Sequence, residues 1–168
     1  MDLNKYVRDI PNFPKQGIIF KDITPLLLDV EAFKYCADQL ISLVEEPIDK
    51  VVSIDARGFF FGGILAKSLQ AGFIPVRKKG KLPSDTIEEK YALEYGEDVL
   101  QIHKDAIQPG DRILLHDDVL ATGGTAKAVC KLIERLGGTV VQCNFIITLD
   151  FLNGSEKLSA PVKSVLNY

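Results

Sequence analysis

The sequence predicts an α/β fold with a twisted, mainly parallel sheet flanked by helices. Short apolar strands alternate with helical patterns along the chain, and no internal repeat or low-complexity linker interrupts the alternation. Alternating strands and helices imply parallel strands joined by right-handed crossovers. The 168 residues, 46% of them hydrophobic, can bury one core, so a single domain over residues 1–168 is expected.

The first predicted helix spans residues 31–46, because apolar residues recur on one face and Pro47 prevents its continuation. The later elements are recognised from short β-branched runs, which indicate buried strands, and from helical periodicity. They are strand 51–54, helix 58–70, strand 73–76, strand 112–115, helix 123–136 and strand 140–149.

Charge and cysteine content argue against several classes of function. A net charge of −3 and a pI near 5.4 disfavour a general nucleic-acid or membrane-surface role. No stretch reaches the roughly 18 apolar residues of a membrane span, and the N-terminus lacks an apolar leader, so a cytoplasmic protein is expected. The histidines complete no zinc-ligand spacing with the cysteines. The cysteines are instead expected in the core; they are Cys36, Cys130 and Cys143.

The most informative stretch is residues 113–125, Ile-Leu-Leu-His-Asp-Asp-Val-Leu-Ala-Thr-Gly-Gly-Thr. Asp117 and Asp118 can accept hydrogen bonds from sugar hydroxyls or hold a metal through water. Residues 121–125 can turn backbone N–H groups and two hydroxyls toward a phosphate at a helix N-terminus. The alternative is a capped strand-to-helix turn, but such a turn needs neither the acid pair nor both glycines. A sugar phosphate satisfies both halves of the stretch.

Two further charged loops are predicted at the same edge of the sheet. Residues 55–58 follow one strand and residues 77–81 follow the next. Ligands of such sheets bind beyond the carboxyl ends of the strands, so the three loops are expected to converge. There Arg57 offers a planar fork and Lys78 a mobile charge to an anion. The simpler alternatives are that Arg57 caps its strand and that 77–81 is a solvated turn.

The stretch 113–125 resembles the phosphoribosyl pyrophosphate signature of the type I phosphoribosyltransferases, in which an apolar strand and two acids precede Ala-Thr-Gly-Gly-Thr. The loops typical of nucleotide hydrolases and dinucleotide-binding proteins are missing from the sequence. Segments 12–25, 56–59, 77–83 and 84–96 also resemble members of this family that act on adenine. The chain is therefore identified as a member of this family over nearly its whole length.

The resemblance implies a fold, a reaction and a set of partners. The fold is that of the type I phosphoribosyltransferases, with a small N-terminal hood at 1–28 and a mobile lid loop at 81–98. The reaction converts adenine and phosphoribosyl pyrophosphate to AMP and pyrophosphate in a homodimer. Mg²⁺ would be carried by phosphoribosyl pyrophosphate near Asp117 and Asp118, without a direct protein ligand.

The resemblance also implies the site residues. Glu94 is expected to manage the proton that adenine loses from N9, and Tyr95 to close over the site with the lid. The peptide between Asp55 and Ala56 is expected to be cis and to present its amide to pyrophosphate. The others are Arg57 and Lys78 for pyrophosphate, Asp117 and Asp118 for the ribose, and Leu120, Ala121, Thr122, Gly123, Gly124 and Thr125 for the 5-phosphate.

Adenine itself would be recognised by Ile19, Phe20 and Lys21. A backbone carbonyl beside a backbone N–H matches the amino group and N1 of adenine, and Phe20 would stack on the ring. Taken alone, residues 18–20 are more simply a core strand. Two other functions stay open: transfer to another purine base, and a sensor of phosphoribosyl pyrophosphate without catalysis. His116 is expected to be a satisfied buried group beside the acids rather than a reactive one.

Overall fold

The computed structural model describes residues 1–92 and 97–168, except for the side chain of Ala92. The chain divides into two compact units, Met1–Gln39 and Leu40–Tyr168. A single domain with a hood at 1–28 and a lid at 81–98 stays a prediction.

The first unit is built from a β-hairpin and helical segments. A 3₁₀ turn at Leu3–Tyr6 precedes strand β1 (Arg8–Pro11), which pairs antiparallel with β2 (Ile19–Asp22). Helices α1 (Thr24–Leu28) and α2 (Val30–Ser42) follow, and α2 continues past the boundary between the units. The buried apolar residues of this unit are Leu3, Ile23, Leu26, Ala32, Cys36 and Ala37.

Helix α2 ends at Ser42 rather than at the predicted residue 46. Gln142 and Asn144 donate side-chain hydrogen bonds of 2.9 and 3.1 Å to backbone carbonyls at this helix end. Helix ends require such external partners for their last carbonyls. The contact comes from residues far along the chain, so the local pattern before Pro47 could not reveal it.

The second unit contains a sheet of seven strands: β3 (Lys50–Ile54), β4 (Gly72–Lys78), β5 (Thr86–Ala92), β6 (Glu97–His103), β7 (Arg112–Leu120), β8 (Thr139–Thr148) and β9 (Val162–Asn167). Their spatial order is β5-β6-β4-β3-β7-β8-β9. The pairings from β4 to β9 across the sheet are parallel, whereas β6 pairs antiparallel with both β4 and β5. The predicted mainly parallel α/β sheet is confirmed.

Helices α3 (Gly58–Ser68) and α4 (Gly124–Arg135) cover opposite faces of this sheet. Val52 of β3 belongs to the apolar core that α4 also lines. Ser53 faces α3, because a Cβ on Gly62 would lie only 2.2 Å from its hydroxyl oxygen. Successive residues of a strand point to opposite faces, which places the two helices on either side.

The strand order reverses between the neighbouring strands β3 and β7. The chain passes from β3 through α3 to β4 on one side, and from β7 through α4 to β8 on the other. A reversal of this kind opens a crevice beyond the carboxyl ends of the two strands. The residues after β3 and those at the end of β7 therefore meet at one edge.

Several strands differ from the prediction. Strand β7 continues to Leu120 instead of ending at 115, because its parallel register with β8 continues as far as Thr148. Both predicted acids consequently lie inside the strand. The β1–β2 hairpin, the antiparallel β5–β6 pair and the partly buried edge strand β9 were not predicted. The remaining predicted elements agree to within two residues at each end.

The three cysteines are buried and free, as predicted. Burial raises the pKa of the Cys36 thiol to about 12. Across residues 1–92 and 97–168, the helices are too short or too polar to cross a membrane.

Candidate active site

An acid pair near the end of β7 lies at the centre of the crevice. The backbone N–H of Asp118 donates to Oδ1 of Asp117 at 2.9 Å, and the Asp118 side chain is 5% exposed. Burial raises the pKa of both carboxyls, and the negative charge of Asp118 raises the pKa of Asp117 further. Two buried acids side by side favour a cation or hydroxyl donors as their ligands.

Arg57 reaches the acid pair from the neighbouring strand. Its Nε lies 2.7 Å from Oδ2 of Asp118. This oxygen has no aligned hydrogen-bond partner in the part of the chain that the structure describes, so the contact is an ion pair. The positive charge of Arg57 partly offsets the effect of burial, and the pKa of both carboxyls is still raised. The structure thus brings together three predicted catalytic residues, Arg57, Asp117 and Asp118.

The turn between β7 and α4 forms an open pocket of about 350 Å³. Gly123 has a φ of +78°, and a Cβ there would lie 2.4 Å from the carbonyl oxygen of Gly154. Only glycine meets both requirements. Helix α4 begins at Gly124, so its first N–H groups face an anion-binding position. All six residues predicted to bind the 5-phosphate line the pocket, together with Asp117, Val119, Ala126 and Phe145.

The ends of β3 and β4 are joined by a second ion pair. Nε of Arg77 donates to Oδ2 of Asp55 at 2.9 Å. The peptide bond between Asp55 and Ala56 is cis, as the resemblance implied. Arg77 also donates to the carbonyl of Lys81 at 3.2 Å, which holds the following turn against the strand. The alternative of a freely solvated turn at 77–81 is therefore wrong for Arg77.

Lys78 is paired with a residue that the sequence did not indicate. Its Nζ lies 2.8 Å from Oδ2 of Asp98, whose Oδ1 accepts from the N–H of Val99 at 2.8 Å. The hydrogen bond and charge of Asp98 raise the pKa of Lys78. Asp98 follows Glu97 in a polar segment and resembles an ordinary surface acid. Only the antiparallel pairing of β4 with β6 brings it to Lys78.

Strand β5 is fixed to the helix that follows the phosphate loop. Glu89 lies 3.0 Å from Nζ of Lys131 and 3.2 Å from Nη1 of Arg135. The hydroxyl of Tyr91 donates to Oδ2 of Asp98 at 3.4 Å. The strand thus contacts both helix α4 and the partner of Lys78. The predicted residues Glu94 and Tyr95 lie outside the described residues.

The residues predicted to recognise adenine lie in the first unit. Ile19 is 56% exposed, so the alternative of a core strand at 18–20 is wrong. Phe20 packs edge-to-face with Phe13 at a centroid distance of 5.2 Å. Nζ of Lys21 lies 2.7 Å from Oδ1 of Asp9 on the opposite strand. The hairpin therefore presents apolar side chains beside a fixed ion pair.

His116 is fully buried beside the acid pair. Its Nδ1 lies 3.1 Å from the carbonyl oxygen of Asn144, which can only accept, so Nδ1 carries the proton. Nε2 is buried and has no hydrogen-bond partner in the described chain. Burial lowers the pKa of His116 to about 4. The expectation of a fully satisfied histidine is correct for Nδ1 and wrong for Nε2.

Among residues 1–92 and 97–168, no group of three or more His, Cys, Asp and Glu side chains could hold a metal ion. Asp117 and Asp118 together supply two carboxylates, which is one fewer than such a group requires.

This chain is similar in sequence to known proteins over nearly its full length. The family model of the phosphoribosyl transferase domain matches residues 27–167. The adenine phosphoribosyltransferase of Flavobacterium johnsoniae is 60% identical over 170 residues, which cover 100% of both chains. That of Thermosipho africanus is 57% identical over 159 residues, which cover 94% of each chain.

Two solved structures are similar in fold as well. The adenine phosphoribosyltransferase of Rhodothermus marinus has a TM-score of 0.93 and 52% identity, over 99% of this chain and 96% of that one. The enzyme of Saccharomyces cerevisiae, solved with D-2,5-dideoxy-2,5-imino-altritol 1,6-bisphosphate and adenine, has a TM-score of 0.90 and 40% identity. That match covers 98% of this chain and 97% of the yeast chain.

Proposed function

The chain belongs to the phosphoribosyltransferase family, and from this premise we propose that it converts adenine and phosphoribosyl pyrophosphate to AMP and pyrophosphate. One observation carries the proposal: Arg57 is ion-paired with Asp118 of the acid pair, and the other acid, Asp117, lines the open pocket of the phosphate loop. Cationic, hydroxyl-accepting and phosphate-binding groups thereby meet at one crevice. These groups match a ribose that bears a phosphate at one end and a negatively charged leaving group at the other.

The reaction forms the bond between N9 of adenine and C1 of the ribose and breaks the bond between C1 and pyrophosphate. The phosphate loop would bind the 5-phosphate through the N–H groups at the start of α4. Asp117 and Asp118 would accept hydrogen bonds from the ribose hydroxyls and orient the ring. Their negative charge would also stabilise positive charge that develops at C1 in the transition state.

Departure of pyrophosphate increases the negative charge on its oxygens, which Arg57 and Lys78 would neutralise. Both cations are paired with carboxylates in the structure, with Asp118 and Asp98 respectively. Pyrophosphate would therefore replace an existing partner of each cation. The amide of the Asp55–Ala56 peptide would supply a further donor.

Glu94 would take the proton that N9 of adenine loses, and Tyr95 would help to exclude water, since an activated ribosyl centre hydrolyses in solvent. In this proposal residues 81–98 act as the lid and residues 1–28 as the hood. The ion pairs of Glu89 with Lys131 and Arg135 attach this segment to α4, beside the phosphate loop that it would cover.

Magnesium would enter with phosphoribosyl pyrophosphate. The two acids fit this arrangement, because Mg²⁺ commonly binds one or two carboxylates together with substrate phosphates and water. Bound near Asp117 and Asp118, the ion would neutralise phosphate charge. All other steps are assigned to residues of the chain.

Adenine would be recognised by the main chain of Ile19 and Lys21, with Phe20 stacked on the ring. A 6-oxo purine presents the opposite hydrogen-bonding pattern and would leave buried polar groups unpaired, a difference that can reject the wrong substrate by about 10⁴-fold. The exposed apolar surface of the β2 hairpin supports this assignment.

We further propose a cytoplasmic homodimer. Three free, buried cysteines suit a reducing compartment. Phe60 and Phe73 are 47% and 40% exposed and supply apolar surface that a second copy would cover. Light scattering at micromolar concentration tests the dimer, and a monomer would contradict it.

Turnover assays with each purine base in turn test the proposed reaction. Conversion of adenine, with hypoxanthine, guanine and xanthine inert, is expected in the presence of Mg²⁺ and phosphoribosyl pyrophosphate. Conversion of another base and not adenine would identify a different member of the family. Binding of phosphoribosyl pyrophosphate without turnover of any base would identify a sensor.

A further inference from the structure

Ser53 lies beneath the site and contacts both of its halves. It is fully buried in β3, opposite His116 of the neighbouring strand β7. Its one O–H proton is shared in a bifurcated hydrogen bond between the carbonyl oxygens of Gly58, at 2.9 Å, and His116, at 3.2 Å. Gly58 directly follows Arg57, and His116 directly precedes Asp117. One hydroxyl thus joins the residues adjacent to Arg57 with those adjacent to the acid pair.

Two glycines allow α3 to approach the strands closely at this point. A Cβ on Gly58 would lie 2.9 Å from Oδ1 of Asp117. A Cβ on Gly62 would lie 2.2 Å from Oγ and 2.7 Å from Cβ of Ser53. Residues four apart share one face of a helix, so both glycines face the sheet. The separation of α3 from β3 and β7 is consequently set by Ser53 on one side and by these glycines on the other.

We propose that Ser53 is a positioning residue, which fixes Arg57 against the acid pair by joining the start of α3 to β7. The proposal rests on the proposed function for the ligand, phosphoribosyl pyrophosphate. The ion pair at 2.7 Å between Arg57 and Asp118 depends on the height of α3 above the two strands. If the hydroxyl is lost or α3 is displaced, Arg57 and the acids no longer present one binding surface to the ribose and its leaving group.

The test uses two single variants and a compensating pair. Ser53→Ala removes the hydroxyl, and Gly62→Ala introduces the colliding Cβ. The double variant Ser53→Gly/Gly62→Ala removes the Oγ and Cβ atoms of Ser53 with which the new Cβ would collide. The one close contact left to that Cβ is with the ring of Phe73, at 3.0 Å. Gly63→Ala is the matched control in the same helix, because a Cβ there meets nothing within 4 Å. Ser164→Ala is the control for loss of a hydrogen-bonded strand hydroxyl, at the edge strand β9.

Calorimetric titration with phosphoribosyl pyrophosphate and Mg²⁺ gives Kd without requiring turnover. We expect Kd to rise about 3- to 10-fold in Ser53→Ala, which corresponds to one hydrogen bond. Kd should rise further in Gly62→Ala and fall back in the double variant only to the level of Ser53→Ala, because the double variant relieves the collision but also lacks the hydroxyl. Steady-state assays should show a raised KM for phosphoribosyl pyrophosphate with a smaller change in kcat. Both controls should keep the wild-type Kd.

A purely structural role would lower the Tm and the fraction of active protein but leave Kd and KM unchanged, and that result would overturn the proposal. So would a double variant that binds no better than Gly62→Ala. If Gly62→Ala does not fold, Ser53→Ala against Ser164→Ala decides the matter, since equal Kd values in those two variants also overturn it. Failure of the proposed function would appear differently, as wild-type protein that does not convert adenine.

Discussion

The guanidinium of Arg57 and the carboxylate of Asp118 form an ion pair of 2.7 Å between the ends of two neighbouring parallel strands. Arg57 is 39% exposed and Asp118 is 5% exposed, so the acid is the buried partner. The pair keeps a cation beside the acids before any ligand arrives. It exists because β3 and β7 are adjacent at the point where the strand order reverses.

Asp118→Asn is expected to lower kcat/KM for phosphoribosyl pyrophosphate by at least about 30-fold, the scale of removing the charge of a buried acid from its ion pair. The substitution removes both the partner of Arg57 and an acceptor for a ribose hydroxyl. Steady-state kinetics measure the effect. Asp105→Asn, at an exposed position, is the control for loss of one negative charge. An equal effect of both substitutions would contradict a local role.

Asp117→Asn is expected to abolish most activity and yet raise the Tm at neutral pH. Burial raises the pKa of Asp117 above its ordinary value of 3.8. At a pH between the ordinary pKa and the raised pKa, the folded state therefore binds more protons than the unfolded chain. Stability therefore falls as the pH rises through that window. Asparagine cannot ionise and avoids this loss, and its oxygen can still accept from the N–H of Asp118.

Thermal melts at about pH 7 and about pH 4 measure this effect, since each 1 kcal/mol corresponds to about 2–4 °C for a chain of this size. The gain in Tm should be larger at the higher pH. A variant that is destabilised at neutral pH would show that the carboxylate is stabilised by its surroundings.

Gly123→Ala is expected to raise KM for phosphoribosyl pyrophosphate strongly and to lower the Tm. The φ of Gly123 is +78°, which is unfavourable for alanine. A Cβ there would also lie only 2.4 Å from the carbonyl oxygen of Gly154. The phosphate loop would have to move. Gly63→Ala, in the open part of helix α3, should instead leave KM unchanged and stabilise by about 0.5–1 kcal/mol. Unchanged phosphate binding in Gly123→Ala would refute the role of this turn.

Glu94→Ala is expected to lower kcat by about 10²- to 10⁴-fold, the usual contribution of a general acid or base, while binding of phosphoribosyl pyrophosphate changes little. Single-turnover and binding measurements separate the two quantities. Glu97→Ala, an exposed acid in the same segment, is the control. Equal losses in kcat and in affinity would exclude Glu94 as the group that handles the N9 proton.

His116→Leu is expected to make stability less sensitive to acid. Burial lowers the pKa of His116 from 6.5 to about 4, so the unfolded chain binds a proton that the folded chain refuses. This contribution to stability is complete above the ordinary pKa and is lost as the pH falls toward about 4. The difference in Tm between neutral and acidic pH should therefore be smaller in His116→Leu. His103→Gln, at a less buried histidine, is the control for loss of one imidazole.

The features that follow from local chemistry were predictable. The turn at 121–124 needs small residues and glycine with positive φ before a helix, and these requirements are visible in the letters themselves. The buried parallel strands are continuous apolar runs, which sequence patterns reveal well. The α/β class, the acid pair and the phosphate loop were thus determined by the sequence alone.

The tertiary structure decided which distant residues meet. The β5–β6 pair and β9 are only partly buried, so their apolar periodicity is weak. The pairing of Lys78 with Asp98 depends on antiparallel β4 and β6, and the contacts of Ser53 depend on the adjacency of β3, β7 and α3. Each joins residues from elements far apart along the chain, and a hydroxyl or a carboxylate carries no local mark of its eventual partner. Packing of the sheet and its helices selects that partner, because it fixes the strand order and the distance between layers.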